Sequence, residues 1–380
     1  MKMKKQWEEI QGIYIHIPFC LQKCLYCDFA SFAGKNELMH QYALALCEEI
    51  KRRALEMAVS EQATIYFGGG TPSLLPVADI AMLINALKAE GLWRQPAEVT
   101  MEMNPGTVDL DRLCQYHELG IDRVSFGVQT LIEEELRIIG RMHTASEALQ
   151  AIELAAQAGF KRISADLIYG LPTQTLQTFD YTLAAAVKSG VSHLSVYGLT
   201  VEEGTPLASK LEDGSLVLPS EEEGEGMYEH TLSYLESQGF SRYEISNFAH
   251  AGQESLHNLI YWRYLPYFGF GSAACSFDGK KRTTNVAGIE DYISGLSPTM
   301  EVLSVRTSLA EFMFLGLRTS EGIDLSLAKE RFGADVMAMF GAEINRYIGK
   351  GMLSLDSNGN SLKLTKLGMK FGNEIFELFL

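Results

Sequence analysis

The sequence contains no apolar run long enough to cross a membrane, although 47% of its 380 residues are hydrophobic. A helix that spans a bilayer needs about 20 consecutive, mostly apolar residues. The basic opening MKMKKQWEEI is also not followed by the apolar stretch that a secretory signal peptide requires. We therefore expect no transmembrane segment and a cytoplasmic location.

Basic residues are scarce as well. The chain has 32 Lys and Arg residues against 48 Asp and Glu residues, so its formal net charge is −16. Such a surface repels polyphosphates unless a local basic patch overrides the average. We therefore expect no nucleic acid partner.

Cysteine is rare, and half of the six cysteines lie in one short loop, at Cys20, Cys24 and Cys27. Secreted proteins that depend on disulfides distribute their cysteine pairs more evenly, so we expect a reducing compartment and thiols that are free to bind metal. Zinc sites and most iron–sulfur clusters use four protein ligands, so the loop supplies one too few. The helical patterns around Cys47 and Cys114 assign both to packing.

Two kinds of metal site would use three thiolates. A four-iron cluster on the three cysteines leaves one iron without a protein ligand, and that iron can bind a small molecule through nitrogen and oxygen. The alternative is a zinc site completed by His16 or by a distant residue. Three unrelated thiols are a further alternative, but the spacing C-x-x-x-C-x-x-C directly after a predicted strand argues against it.

The first 205 residues alternate between short apolar or β-branched runs and segments with a helical period. The runs are GIYIHI, ATIYFGG, EVTMEMN, DRVSFGV, KRISADLIYG and SHLSVYGL. Strands that alternate with helices pair in parallel through right-handed crossovers. This predicts an α/β domain of six βα units, either an incomplete barrel or a flat doubly wound sheet, with its site at the carboxyl ends of the strands.

Two further regions follow, because the alternation stops after residue 205. Residues 206–300 contain an acidic helix start at Ser220–Gly226 and an irregular, aromatic-rich stretch from Tyr243 to Phe277. Residues 301–380 show helical periods and then GMLSLDSNGNSLKLTKLG, which predicts two strands around an Asn-Gly turn. We interpret this last region as a smaller α+β, winged-helix-like domain, although it lacks the basic recognition helix of a DNA-binding protein.

Glycine-rich or polar sequence ends the predicted strands. The second strand ends in GGGTPS, where Gly68, Gly69, Gly70 and Thr71 allow the backbone to approach a ligand closely. This segment lacks the lysine of a phosphate-binding loop. Polar residues at the later strand ends and in one following loop are Glu102, Gln129, Arg141 and Asp166. Any one of them alone is typical of a cap or a core polar group, but together they predict a single site.

The complete set of motifs resembles a known family. The cysteine spacing is similar to that of the radical S-adenosylmethionine (SAM) superfamily. The motifs YIHIPFC, GGGTPS, ExNPG, RVSFGVQ, GRxH, DLIYGLP and HLSVYGLTVEEGTP resemble those of the oxygen-independent coproporphyrinogen III oxidases and their relatives. The resemblance implies an incomplete (β/α)6 barrel and a [4Fe-4S] cluster on Cys20, Cys24 and Cys27. It also implies that the amino and carboxylate groups of SAM bind the open iron and that the reduced cluster cleaves SAM.

The resemblance further implies a set of SAM-binding residues. Tyr14 and Tyr26 would flank the cluster and the adenine ring, and Ile168 would line the adenine pocket. The GGGTP segment would contact the SAM amino group. The polar residues that would hold SAM are Glu102, Gln129, Arg141 and Asp166.

Within this family, the HNLIYW motif at His257–Trp262 resembles the H-N-x-x-Y-W motif of the HemW-type heme chaperones. Phe29 stands where the oxidases carry a fourth cysteine, and only nineteen residues precede Cys20, whereas the oxidases have a longer leading segment. The resemblance therefore implies a heme chaperone that binds heme and delivers it to recipient heme proteins. A porphyrinogen-decarboxylating oxidase is the alternative.

Two residues are candidate heme ligands. His257 of the HNLIYW motif supplies an imidazole, which is a common axial ligand of heme iron. The chaperones tend to carry an Ala-His-Ser run where this chain reads Ala274-Cys275-Ser276, so Cys275 is a second candidate and an inert packed thiol is the alternative. The aromatic run Tyr261–Phe268 would suit the wall of a macrocycle site, although a core cluster has the same pattern.

A third function is a radical SAM enzyme that modifies tRNA, but the net charge of −16 and the lack of a basic appended domain disfavour it. The sequence identifies no catalytic residue. It is also compatible with a dimer.

Overall fold

The computed structural model describes residues 5–380 and begins with a domain of alternating strands and helices. Its elements in chain order are β1 (Ile10–Ile17), β2 (Phe19–Cys20), β3 (Phe32–Ala33), α1 (Met39–Arg53), β4 (Val59–Gly69), α2 (Val77–Ala89), β5 (Val99–Met103), α3 (Leu110–Glu118), β6 (Arg123–Gln129), α4 (Glu133–Ile138), α5 (Ala145–Gln157), β7 (Arg162–Tyr169), α6 (Leu176–Lys188) and β8 (His193–Gly198). Capping residues mark helix starts, since the Thr144 and Thr175 hydroxyls accept backbone N–H groups at the first turns of α5 and α6.

Six of these strands form the centre of one twelve-stranded sheet. The order β1-β4-β5-β6-β7-β8 follows the chain without a reversal, and each neighbouring pair is parallel. Right-handed crossovers between strands in sequential order place all the helices on one face, so the sheet curls around its other face. The predicted incomplete barrel of six βα units is therefore confirmed. A flat doubly wound sheet is excluded, because its strand order would reverse.

Residues 206–300 extend this same sheet at both edges. Their elements are α7 (Pro206–Glu212), α8 (Glu221–Ser237), β9 (Ser241–Arg242), β10 (Asn247–Ala249), α9 (Leu256–Trp262), β11 (Tyr267–Phe270), β12 (Cys275–Phe277), β13 (Lys281–Thr284), α10 (Ile289–Ile293) and β14 (Thr299–Val302). β11 lies parallel to β1 and is followed by antiparallel β12, β13 and β14, whereas β10 pairs antiparallel with β8. The expectation of an irregular stretch is wrong here, because strands of two to four residues are too short to show a period in the sequence.

The helix α9, which carries the HNLIYW motif, lies against the inner faces of β1 and β4. Gly12 of β1 makes this approach possible, because a Cβ at that position would lie 2.9 Å from the Ile260 side chain. The Glu98 carboxylate accepts the backbone N–H groups of Leu256 (2.9 Å) and His257 (3.1 Å), and thereby satisfies the first turn of α9. This helix therefore fills the interior of the barrel below the strand ends.

The last region forms a second hydrophobic core. Its elements are α11 (Val305–Leu317), β15 (Ile323–Asp324), α12 (Leu325–Phe332), α13 (Val336–Gly349), β16 (Leu353–Leu355), β17 (Ser361–Leu364), α14 (Lys366–Lys370) and α15 (Gly372–Phe376). The strands form a sheet of order β15-β17-β16, in which β16 and β17 flank the predicted turn. This core includes Tyr264 and Phe277, so the domain packs directly on the edge of the barrel sheet. Across residues 5–380, none of the helices combines the length and apolarity that a membrane crossing requires.

Candidate cofactor site at the open end of the barrel

A cavity of about 520 Å³ lies at the carboxyl ends of the barrel strands. The loop that follows β1 forms one wall and carries the three clustered cysteines, all half-buried. Sequence-predicted residues that line the cavity are Cys20, Cys24, Tyr26, Cys27, Gly69, Gly70, Thr71, Glu102, Gln129, Arg141, Asp166 and Ile168. Residues from the ends of four strands, from the loop after α4 and from the cysteine loop thus meet in one place.

Each of the three thiols has a polar neighbour. The Thr71 hydroxyl donates to Cys20 Sγ (3.8 Å), and the Arg141 guanidinium donates to Cys24 Sγ (3.4 Å). Cys27 Sγ lies 4.0 Å from the Ser31 hydroxyl. Burial raises the pKa of the Cys20 and Cys27 thiols, whereas a bound metal favours the thiolate. Three thiols that face one cavity, each beside a polar group, fit the ligand set of an iron–sulfur cluster.

His16 does not complete a zinc site. Its Nε2 lies 2.8 Å from the Ala30 carbonyl oxygen, and its Nδ1 lies 3.1 Å from the Tyr14 hydroxyl. Both ring nitrogens therefore have hydrogen-bond partners, and the contact with Ala30 stabilises the far end of the cysteine loop. In the described part of the chain, no group of three or more His, Cys, Asp and Glu side chains, the three cysteines included, is arranged around a single metal ion. The zinc alternative with His16 as the fourth ligand is therefore wrong.

The glycine segment after β4 packs tightly against the cysteine loop. Gly69 has φ of +116°, and a Cβ there would lie 2.6 Å from the His16 ring. A Cβ on Gly70 would lie 2.7 Å from the Phe19 carbonyl oxygen and 3.0 Å from Cys20 Sγ. Glycine is needed at these two positions because backbone from two loops meets at the cluster thiols.

Two carboxylates lie in the cavity wall. Glu102 accepts hydrogen bonds from the Tyr66 hydroxyl (2.8 Å) and from the Gly69 backbone N–H (3.1 Å). Burial raises the pKa of Glu102 to about 7. Asp166 accepts from the Ser125 hydroxyl (3.2 Å), and burial raises its pKa as well. These carboxylates can accept hydrogen bonds from an ammonium or a ribose hydroxyl, and such donors would favour their ionised form.

A β-bulge turns Gln129 into the cavity. The register of β6 against β7 shifts between Gly127 and Gln129, and Gln129 has φ of 67°, which non-glycine residues adopt rarely. Arg141 lies beside it and donates to the Gly127 carbonyl oxygen (2.5 Å). Within residues 5–380, no carboxylate forms a salt bridge with Arg141. A half-buried cation that pairs with no carboxylate of the protein suits a ligand carboxylate.

One part of the wall is apolar. Tyr26 and Leu199 pack with the buried side chains of Ile139, Ile168 and Leu171. The cavity therefore has a polar half near the thiols and an apolar half that suits a flat ring. This division fits SAM, which carries an amino acid group at one end and adenine at the other.

Four sequence-predicted residues do not line this cavity. Tyr14 stacks on Tyr66 at 6.1 Å between ring centroids, beneath the site. A Cβ on Gly68 would contact those two rings, so Gly68 also faces the barrel interior. The expected direct roles of Tyr14 and Gly68 at the cofactor are therefore not supported. The other two, His257 and Cys275, are the candidate heme ligands.

His257 is fully buried in the barrel, with 0% exposure. Its Nδ1 lies 2.7 Å from the Thr64 hydroxyl, and its Nε2 lies 2.8 Å from the Tyr261 hydroxyl. Burial lowers the pKa of His257 to about 4. An imidazole with both nitrogens hydrogen bonded has no nitrogen left for iron, so this placement disfavours His257 as a heme ligand.

Cys275 lies on β12, away from the cofactor cavity, and is half-buried. Its thiol donates to the Ser276 carbonyl oxygen at 3.6 Å. The Tyr267 side chain also hydrogen bonds with Cys275. Cys275 stays a candidate heme ligand because it is half-buried and has weaker contacts than His257.

Several residues of the cavity wall escaped the sequence analysis. They are Met103, Asn104, Ser125, Gly127, Tyr197 and Thr200, together with exposed members of the cysteine loop. Most of them lie within two positions of a predicted site residue or at the end of β8. Their position at a strand end is the signal that could have identified these residues, because side chains there alternate between the barrel interior and the helical layer.

The fold and the cavity define a radical SAM protein. Residues 14–186 match the family model of the radical SAM superfamily, and residues 303–371 match that of the HemN C-terminal domain. The structure of the coproporphyrinogen III oxidase HemN from Escherichia coli, a radical SAM enzyme, aligns with a TM-score of 0.84 and 22% identity over 98% of this chain and 90% of that chain. This likeness shows the shared fold.

Curated relatives narrow the assignment. The heme chaperone HemW of Bacillus subtilis is 35% identical over 98% of this chain and 99% of its own length. The heme chaperone HemW of Lactococcus lactis is 33% identical over 97% of this chain and 96% of its own length. The chain belongs to the HemW heme chaperone family, as its motifs indicated. Membership of the radical SAM superfamily implies a [4Fe-4S] cluster and SAM.

Proposed function

We propose that this protein is a heme chaperone that binds heme and delivers it to recipient heme proteins, on a domain that holds a [4Fe-4S] cluster and SAM. The main support for this proposal is the similarity to heme chaperones along almost the entire chain. Phe29 supports the same conclusion. It stands where the oxidases have a fourth cysteine, and 66% of its side chain is exposed at the rim of the cavity.

The cofactor residues have separate roles in this proposal. Cys20, Cys24 and Cys27 bind the cluster, which supplies one-electron chemistry when it is bound. Arg141 neutralises the SAM carboxylate, and Glu102 accepts a hydrogen bond from the SAM amino group. Asp166 and Gln129 bind the polar edge of the nucleoside, while Tyr26 and Ile168 hold the adenine ring. The glycine segment keeps the cysteine loop close to these groups.

The heme site lies outside this cavity in the proposal. Cys275 supports it as a half-buried thiol on β12, close to the aromatic side chains of Tyr261 and Tyr267. A cysteine thiolate is a known heme ligand. The aromatic rings would contact the macrocycle. The proposal also includes recipient heme proteins and a dimeric state, and it assigns no residues to either.

An anaerobic assay that offers heme and coproporphyrinogen III in parallel tests the proposal. The reconstituted protein should bind heme and should not convert coproporphyrinogen III, even with SAM and a reductant present. Cys275→Ala should change the heme absorption spectrum, while Cys114→Ala, a thiol on α3, serves as the control. Turnover of coproporphyrinogen III without heme binding would instead support the oxidase. An unchanged heme spectrum in Cys275→Ala would show that another residue is the heme ligand.

A further inference from the structure

A second, smaller cavity of about 150 Å³ shares Cys24, Asn104 and Arg141 with the cofactor cavity. It borders the cysteine loop through Leu21 and Cys24, and its far wall includes His143 of the GRMH motif. His143 is only 4% exposed. Neither the cluster nor the SAM site, as described above, uses this residue.

His143 has one bonded and one unbonded ring nitrogen. Its Nε2 lies 3.3 Å from the Val128 carbonyl oxygen, which can only accept, so Nε2 carries the proton. The Nδ1 atom is then an acceptor, and it is buried without a partner among the described residues. Burial and the nearby charge of Arg141 lower the pKa of His143 to about 4, so the ring is neutral at pH 7.

Arg141 has an unpartnered donor, which complements the unpartnered acceptor of His143. Its two terminal nitrogens donate to Cys24 Sγ and to the Gly127 carbonyl oxygen, but its Nε is buried without a partner among residues 5–380. Arg141 and His143 both line the small cavity, and a buried donor and a buried acceptor are costly to leave unsatisfied. A water molecule that enters between them would satisfy both atoms, because it can accept from one group and donate to the other.

We propose that the small cavity binds a water molecule that accepts from Arg141 Nε and donates to His143 Nδ1, which makes His143 a positioning residue for Arg141. Through this water, His143 holds the guanidinium plane that contacts Cys24 and faces the SAM carboxylate. The inference rests on the proposed SAM site. Loss of a group that orients a ligand in this indirect way typically costs about tenfold or more in affinity.

Two matched substitutions test the inference on the anaerobically reconstituted protein. Asn places an amide oxygen near the position of Nδ1, so it keeps a hydrogen-bond acceptor for the water. Gln places its amide group near the position of Nε2, so it leaves the water without an acceptor. We expect His143→Asn to bind SAM within about threefold of wild type and His143→Gln to bind about tenfold more weakly. The change that SAM causes in the electron paramagnetic resonance spectrum of the reduced cluster should persist in His143→Asn and shrink in His143→Gln.

Packing alone predicts a different order. If His143 only filled space, the larger Gln would be the milder replacement, so wild-type affinity in His143→Gln or equal losses in both variants would overturn the inference. Nitrogen NMR of the wild-type histidine rings provides a measurement that does not depend on the variants. A hydrogen-bonded Nδ1 in the Nε2–H form supports the water bridge, and a free Nδ1 contradicts it. Failure of wild type to bind SAM would overturn the proposed SAM site as well, and so differs from failure of the inference alone.

Discussion

At the scale of single residues, the cofactor cavity combines buried charges that have few partners inside the protein. Arg141 forms no salt bridge with a carboxylate among residues 5–380, and burial raises the pKa of Glu102 to about 7. Both features are unfavourable for the protein alone and become favourable when a ligand supplies the opposite group. The residues that cost stability here are therefore the ones that define the ligand.

The raised pKa of Glu102 predicts that SAM binding depends on pH. The ionised carboxylate is the form that accepts a hydrogen bond from the SAM ammonium, so affinity should rise with pH up to about 7. Below pH 7 the ionised fraction, and with it the affinity, should fall roughly tenfold per pH unit. Equilibrium dialysis with reconstituted protein between pH 5.5 and 7 measures this slope.

Glu102→Gln is the control for this slope. It keeps an oxygen that can accept from Tyr66 but cannot ionise, so binding should be weaker and nearly independent of pH in this range. An equal slope in wild type and in Glu102→Gln would show that another group causes the pH dependence.

At the scale of elements, the HNLIYW motif forms a plug rather than an exposed ligand site. The helix α9 fits inside the barrel because Gly12 has no side chain and because Glu98 satisfies the start of the helix. His257 links the plug to β4 through Thr64 and links successive turns of α9 through Tyr261. The motif therefore closes the barrel below the cofactor cavity.

This geometry predicts that His257→Ala lowers stability without changing the heme spectrum. The substitution leaves a cavity and removes the partners of two buried hydroxyl groups, which should lower the free energy of unfolding by about 3 kcal/mol. Chemical denaturation followed by circular dichroism measures the loss, and absorption spectroscopy measures heme binding. His117→Ala, at an exposed position on α3, should have little effect on either. A changed heme spectrum in a stable His257→Ala protein would restore His257 as a ligand.

At the scale of the whole molecule, a half-buried arginine joins the barrel to the carboxyl-terminal domain. Arg331 of α12 donates to the Tyr264 carbonyl oxygen (2.7 Å). Its guanidinium lies 5.2 to 5.5 Å from the centroids of four aromatic rings, those of Trp7, Tyr264, Phe312 and Phe332. These rings come from the start of the chain, from the loop after α9 and from the domain itself. One side chain therefore couples three regions that are distant in sequence.

Removal of this side chain should loosen the domain contact. We expect Arg331→Ala to lower the free energy of unfolding by about 2 kcal/mol, from lost packing and cation–π contacts. Hydrogen exchange should increase in α11 and α12 while α1 stays protected. Arg306→Ala, whose side chain is exposed on α11, is the matched control. Uniform loss of protection across α1 and α11 would show that the two parts unfold as one unit and that Arg331 does not act at their contact.

How much could be predicted from the sequence differs between these scales. The six βα units, the cysteine loop and many of the residues that line the cavity were predictable, because strand periods, spacing and strand ends are local features of the chain. The sheet extensions by β9 to β14 were not, because such short strands form only when a neighbouring edge supplies hydrogen bonds. His143 was visible as part of a motif, but its unpaired nitrogen follows from burial.

The sequence by itself determined which chemistry the protein can carry out, since three thiols in one loop and polar groups at strand ends are properties of residue type and spacing. Only the tertiary structure decided which residues reach the site. It separated Tyr14 and His257 from the cofactor cavity and placed them in the barrel interior, one from β1 and the other from α9. The physical reason is that hydrogen-bond partners such as Thr64 and Glu98 come from distant parts of the chain, so burial and partnership depend on the packed fold.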